Sequence, residues 1–193
     1  MSVLLRRTFA LGLMTQAAGI LPKDLYAQEG MFLTEATAPA AVFPQATTFE
    51  RTVVPATPEL RAQMQTQLGT LRPSLWEPEY IIFTAKQRDM LLGYGVIVEE
   101  IGKSLPITAI VGVRPNGQVA EVAIMVYREP YGGEVRYPRF LAQYTGKTLR
   151  DPLMPYRDIH NITGATLSCQ SIGQGVRKAL ALVHVLFPKE RGS

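Results

Sequence analysis

Two runs of alternating apolar residues flank the tripeptide Pro115-Asn116-Gly117, and no other feature of the sequence constrains the fold as tightly. Over Pro106–Val113, the residues Ile107, Ala109, Val111 and Val113 fall on one face, the period of a half-buried strand. Over Gln118–Tyr127, Val122, Ile124 and Val126 share a face while Val119 stands out of phase. Pro, Asn and Gly between two such runs make a turn, so residues 106–127 are expected to form an antiparallel hairpin. Two further β-rich runs come before it, Glu79–Thr84 and Leu91–Ile101. In Leu167–Phe187 the period changes: Ile172, Val176, Leu180, Val183 and Phe187 make one helical stripe suited to packing on a sheet. Gly173 and Gly175 weaken that helix but permit close backbone approach.

Shorter elements follow from local chemistry. Thr57-Pro58-Glu59 reads as an N-cap, a first-position proline and a first-turn acid, opening a helix that runs to about Leu68 and stops at Gly69. Tyr137–Tyr144 is expected to be a short helix with Phe140 and Leu141 inward, and 129–135 and 145–157 to be loops. Residues 28–57 are rich in Ala, Thr and Pro without a sustained period and read as an extended linker. Trp76 is expected to be a packing anchor. The fold class is α+β: an antiparallel twisted sheet packed by a C-terminal helix and a smaller N-terminal helix.

Composition narrows function by exclusion. The chain is 47% hydrophobic and 19% charged, an ordinary globular balance. Its net charge is +4, part of it in the first 27 residues, and no Lys/Arg run follows them, which argues against nucleic acid as a partner. A single cysteine, Cys169, rules out an internal disulfide and Cys-rich metal sites. With only His160 and His184, a zinc site would need carboxylates. Arg6-Arg7 precedes an uncharged stretch, Thr8–Leu21, shorter than the roughly 20 residues of a membrane span. This is the pattern of a secretory signal, with cleavage expected after Ala27, and it partly matches a twin-arginine signal. The expected organisation is a signal peptide at 1–27, a linker at 28–57, a domain at 58–187 and a tail at 188–193. The mature protein would be periplasmic or otherwise extracytoplasmic after general secretory or twin-arginine export, and membrane-tethered if the leader stays uncleaved.

The chemistry concentrates where loop meets helix, in Asn161-Ile162-Thr163-Gly164-Ala165-Thr166-Leu167-Ser168. A helix starting near Thr166 offers unpaired N–H groups and the positive end of its dipole. Gly164 and Ala165 keep bulk away, and Thr163, Thr166 and Ser168 supply hydroxyls. Such a place suits a phosphate; on local pattern alone, it also suits ordinary N-capping by Ser or Thr. Cys169 reads as a small core residue rather than a reactive thiol.

Thr163-Gly164-Ala165-Thr166-Leu167-Ser168 resembles the flavinylation motif of FMN-binding domain proteins, which include covalent flavin-carrying subunits of sodium-pumping and ferredoxin-linked oxidoreductases. The resemblance extends to Gly93-Tyr94-Gly95-Val96, Glu100-Ile101-Gly102-Lys103, Asn116-Gly117-Gln118-Val119, the loop from Arg128 to Val135, and the block from Arg139 to Lys147, covering roughly 40–187. It implies that Thr166 bears FMN through a phosphoester, installed from FAD outside the cytoplasm by a separate flavin transferase, with Thr163, Gly164, Ala165, Leu167 and Ser168 around it. It implies that Glu129 and Tyr131, on the loop that approaches the flavin ring, also belong to the cofactor site. The sequence departs from the family pattern at His160, where an Asp is usual; Asp158 is the nearest acid. Of Tyr127, Tyr131, Tyr137, Tyr144 and Tyr156, one or two are expected to stack on the ring and the rest to be supports. The resulting expectation is an exported electron-transfer flavoprotein working with a redox protein or membrane electron-transfer partner. Its rivals are a reductase with dissociable FMN and a non-redox accessory module with a vestigial motif. No glycine fingerprint for a nicotinamide cofactor is present, which counts against the reductase.

Overall fold

The computed structural model describes residues 30–70 and 75–188. The leader at 1–27 and the tail beyond Pro188 lie outside the described residues. Five strands form one antiparallel meander in chain order: β1 (Thr48–Pro55), β2 (Glu79–Gln87), β3 (Met90–Ile101), β4 (Pro106–Val113) and β5 (Val119–Tyr127). A short helix α1 (Ala38–Val42) precedes β1, and α2 (Pro58–Leu68) follows it. A 3-10 turn (Gly133–Arg136) leads to α3 (Pro138–Leu141), which continues as a second 3-10 turn, and α4 (Thr166–Leu186) closes the fold. This is the α+β architecture expected.

Local signals placed the elements well. The Thr57 side chain accepts from the Leu60 N–H at 3.2 Å, Pro58 opens α2, and Gly69 ends it at φ 63°. The β4–β5 hairpin turns at Pro115-Asn116-Gly117, with Gly117 at φ 80°. Phe140 and Leu141 are buried.

Two bulges alter the expected phase of β5. The pairing skips a residue of β5 near Ala120 and again near Met125. The first brings Val119 onto the same face as Val122 and Ile124. The second turns Val126 to the opposite face, beside Met125. A bulge adds one residue to one strand and so inverts the alternation beyond it, which is why Val126 departs from its expected side.

Residues 30–57 are not a tether. Thr48–Pro55 pairs along its whole length with β2 as the edge strand, and α1 lies across the back of the sheet. There Ala38, Val42 and Phe43 pack with Phe83, Ala85, Ile110, Ala120 and Met125. The seat is shaped by missing side chains: a Cβ at Gly112 would stand 3.0 Å from Val42 Cβ, and one at Gly93 2.6 Å from the Phe43 ring. Phe32 and Leu33 donate to the Met125 carbonyl, so this segment also covers the free edge of β5. The segment carries no period because its apolar residues dock singly. Trp76 is 54% exposed and anchors nothing in the core.

The main core lies between the other sheet face, α4 and α2. α4 is buried on far more than one stripe, since Ser168, Cys169, Ser171 and Ala179 are buried alongside the expected row. The 145–157 loop crosses it at Gly173, where a Cβ would lie 2.1 Å from the Leu153 carbonyl oxygen. Arg177 holds that loop by donating to the carbonyls of Leu149, Asp151 and Pro152. Lys178, with 0% exposure, meets Glu77 at 2.5 Å, Glu100 at 2.8 Å and the Glu99 carbonyl at 2.8 Å.

Candidate flavin site

Thr166 is the first residue of α4, and Ala165 stands at its N-cap position with no side chain capping the turn. The expected hydroxyl cap is therefore absent, and the first-turn N–H groups keep the partial positive charge of an open helix end. Gly164 precedes the cap at φ 82°, a left-handed conformation that favours glycine. A Cβ built on it would meet nothing within 4 Å, so the backbone approach to Thr166 is open.

An open groove of ≈ 750 Å³ runs past this helix end. One wall is the β3–β4 turn, with Lys103, Ser104 and Leu105; another is Glu129, Pro130 and Tyr131; the floor is Gly164 to Ser168. Leu105, Tyr131 and Leu167 are exposed apolar surfaces, Tyr131 at 81%. The loop walls are held together by Glu129. Its Oε1 accepts the N–H groups of Ser104 at 2.5 Å and Leu105 at 2.9 Å. Burial works to raise the Glu129 carboxyl, but the N–H groups of Leu105, Ser104 and Lys103 outweigh it and hold it below the ordinary range. Glu129 is thus in the groove wall with one oxygen committed to the neighbouring turn.

The three expected hydroxyls separate. Thr166 lines the groove; its Oγ1 accepts from Asn161 Nδ2 at 2.9 Å and lies 3.4 Å from the Tyr156 hydroxyl. Ser168 is buried, its Oγ 3.1 Å from the Tyr127 hydroxyl, which itself donates to the Tyr131 carbonyl at 2.6 Å. Ser168 therefore braces the loop from beneath. Thr163 is exposed and lies outside the groove lining. Burial raises the Tyr127 hydroxyl above its usual pKa, which keeps it a donor.

Other expectations resolve by packing. Cys169 is fully buried, and that burial pushes its thiol up, as a core residue requires. Asp158 is engaged elsewhere: Oδ2 meets Lys147 at 2.9 Å and Oδ1 accepts the Met154 N–H at 2.9 Å. Burial opposes ionisation of Asp158, yet Lys147 and the Met154 and Leu153 N–H groups hold its carboxyl below the usual range. His160 is exposed, its backbone N–H donating to Gln143 at 2.7 Å, and it lines a separate shallow depression with Glu134 and Arg139. His184 is a surface residue. Of the tyrosines, Tyr127 and Tyr144 are buried supports, while Tyr131, Tyr137 and Tyr156 are exposed; Tyr131 lines the groove and the Tyr156 hydroxyl lies 3.4 Å from Thr166 Oγ1.

Sequence reasoning placed Asn161 only at the start of the motif segment and Tyr156 only among five candidate ring-stacking tyrosines, giving neither a role toward Thr166, and did not assign the Lys103–Leu105 turn to the site. Asn161 and Tyr156 adjoin the motif, so proximity was a signal. Nothing local announces the turn, which reaches the groove through Glu129, 24 and 25 residues from its two partners.

The residues present fit a phosphate-bearing aromatic cofactor. An uncapped helix end and an accessible glycine suit the phosphate, a hydroxyl stands beside them, and apolar walls suit a planar ring. This geometry suits a nucleotide cofactor. Residues 102–181 match the model of the FMN-binding domain family. That stretch belongs to the family, and the protein is an FMN-binding flavoprotein. No curated protein matches the chain.

Proposed function

We propose that the protein is an exported electron carrier with FMN linked through its phosphate to Oγ1 of Thr166. The single observation that carries this reading is the Thr166 hydroxyl at the uncapped start of α4, lining the groove beside an unobstructed Gly164. Attachment joins Oγ1 to the FMN phosphorus of FAD. The pyrophosphate bridge breaks, AMP leaves, and the hydroxyl proton passes to a base of a separate flavin transferase.

This chain's own part is to present and retain. Gly164 admits the phosphate, and the first-turn N–H groups of α4 stabilise its charge. Leu105, Tyr131 and Leu167 offer apolar surface for the ring, and Lys103 is the one cation of the groove lining among the described residues. Bound flavin supplies one- and two-electron chemistry. A tethered ring in an open groove suits a relay between redox partners, one of them in or at the membrane. Export by the leader would place the domain where the transferase works.

The test is mass spectrometry of the protein co-expressed with a flavin transferase. The expected result is a gain of one FMN less water on the peptide containing Thr166, abolished in Thr166→Ala. Flavin released by acid precipitation from the wild type, or retained by Thr166→Ala, would overturn covalent attachment at this residue.

A further inference from the structure

The hydroxyl of Thr166 does not hang free. Asn161 Nδ2 stands 2.7 Å from the Tyr156 hydroxyl, 2.9 Å from Thr166 Oγ1 and 3.2 Å from the Ile162 carbonyl. A carbonyl oxygen can only accept, so the atom facing Ile162 must be the amide's donor nitrogen. That favours the orientation with Nδ2 toward Thr166, in which Oδ1 is buried with no hydrogen-bond partner among the described residues. The hydroxyl of Tyr156, a residue 77% exposed and at φ 63°, lies 3.4 Å from the same oxygen.

The direction of this bond matters for acyl- or phosphoryl-type acceptors. A free threonine hydroxyl both donates and accepts, whereas the oxygen of its phosphate ester has lost its hydrogen and can only accept. A carboxylate beside Oγ1 could hold the hydroxyl but would face the ester with no bond and a like charge. An amide N–H holds both. The β-branched side chain of Thr166 adds a restricted χ1, so one donor is enough to aim the oxygen.

We propose that Asn161 and Tyr156 are positioning residues for Thr166: they aim Oγ1 into the groove before phosphoryl transfer, and the Asn161 N–H keeps the resulting phosphodiester in place afterwards. This rests on the reading of Thr166 as the flavin acceptor.

The test uses the whole protein, FAD and a flavin transferase, following covalent loading by mass while the carrier concentration is varied. In Asn161→Ala the maximal loading rate should fall about tenfold with KM for the carrier held, the cost of one hydrogen bond to a reacting oxygen. Asn161→Asp should fall at least as far despite its matching size, which a merely structural role would not require. Tyr156→Phe should lose about two- to threefold and serves if Asn161→Ala does not fold. After loading is driven to completion, the 31P resonance of the phosphodiester should shift in Asn161→Ala relative to wild type. Wild type loaded on Thr166, with all three variants loading at the wild-type rate and an unmoved 31P line, overturns the positioning role alone. Wild type that takes no flavin at Thr166 overturns the acceptor reading and this inference with it.

Discussion

Helix α4 has a groove at each end, and both measure ≈ 750 Å³. At the N-terminal end the groove meets unpaired N–H groups, an unobstructed glycine and the Thr166 hydroxyl. At the C-terminal end it meets Leu180, Val183, His184 and Phe187, with Phe187 stacked on Tyr94 at 3.9 Å. Equal space carries opposite chemistry. The helix dipole attracts a phosphate at one end and repels it at the other, so volume alone does not mark a cofactor site. Between the two, the buried middle of the helix carries two charged side chains that are met by partners: Lys178 by two carboxylates and a carbonyl, and Arg177 by three carbonyls.

The largest effect should come from that middle. Lys178→Ala leaves the Glu77 and Glu100 carboxylates without their buried cation and should cost about 3–5 kcal/mol in urea unfolding. A loss below about 1 kcal/mol would mean that the cluster contributes no more than an exposed ion pair.

Next comes the loop that carries Tyr156. Asp158→Ala removes the partner of Lys147 and of the Met154 N–H and should cost about 2 kcal/mol at neutral pH. Because folding lowers the Asp158 pKa, its stabilisation is fully present above the unfolded value of about 3.9 and fades as pH falls through the folded value. The wild-type advantage should therefore hold from pH 7 to 5 and vanish in stronger acid. An advantage that instead grows on acidification would contradict the assignment.

Gly132→Ala tests the seat of the motif. Gly132 has φ 79°, and a Cβ there would lie 2.9 Å from Ala165 Cβ and 3.0 Å from the Tyr127 hydroxyl. The conformation alone costs about 1–2 kcal/mol, and covalent loading should fall because Ala165 must shift. Unchanged stability and loading would show that the cradle yields freely. Tyr127→Phe, which orphans Ser168 and the Tyr131 carbonyl, should cost about 1 kcal/mol. Smallest of all is His184→Ala at the rim of the C-terminal groove: flavin loading should match wild type, and a drop would erase the distinction between the two ends.

Much of the scaffold was legible locally. The period-two runs placed β4 and β5, the Thr57-Pro58-Glu59 triplet placed α2, and the step of four placed α4, because each signal lies within one element and reports how that element presents its faces. The motif at Thr163–Ser168 could likewise be located at a helix start from the sequence around it.

What tertiary structure alone decided is which groups remain available. Thr163, Thr166 and Ser168 look alike in sequence, yet Ser168 is spent on Tyr127, 41 residues away, while Thr166 opens on the groove. Lys178 is buried against a carboxylate from Glu77, 101 residues away, a pairing that nothing in the local sequence announces. Bulges turned Val126 to the other face, and the stretch that looked like a linker became an edge strand and a back-face cover. Periodicity is a property of neighbours in the chain, whereas exposure, pairing and charge compensation belong to neighbours in space.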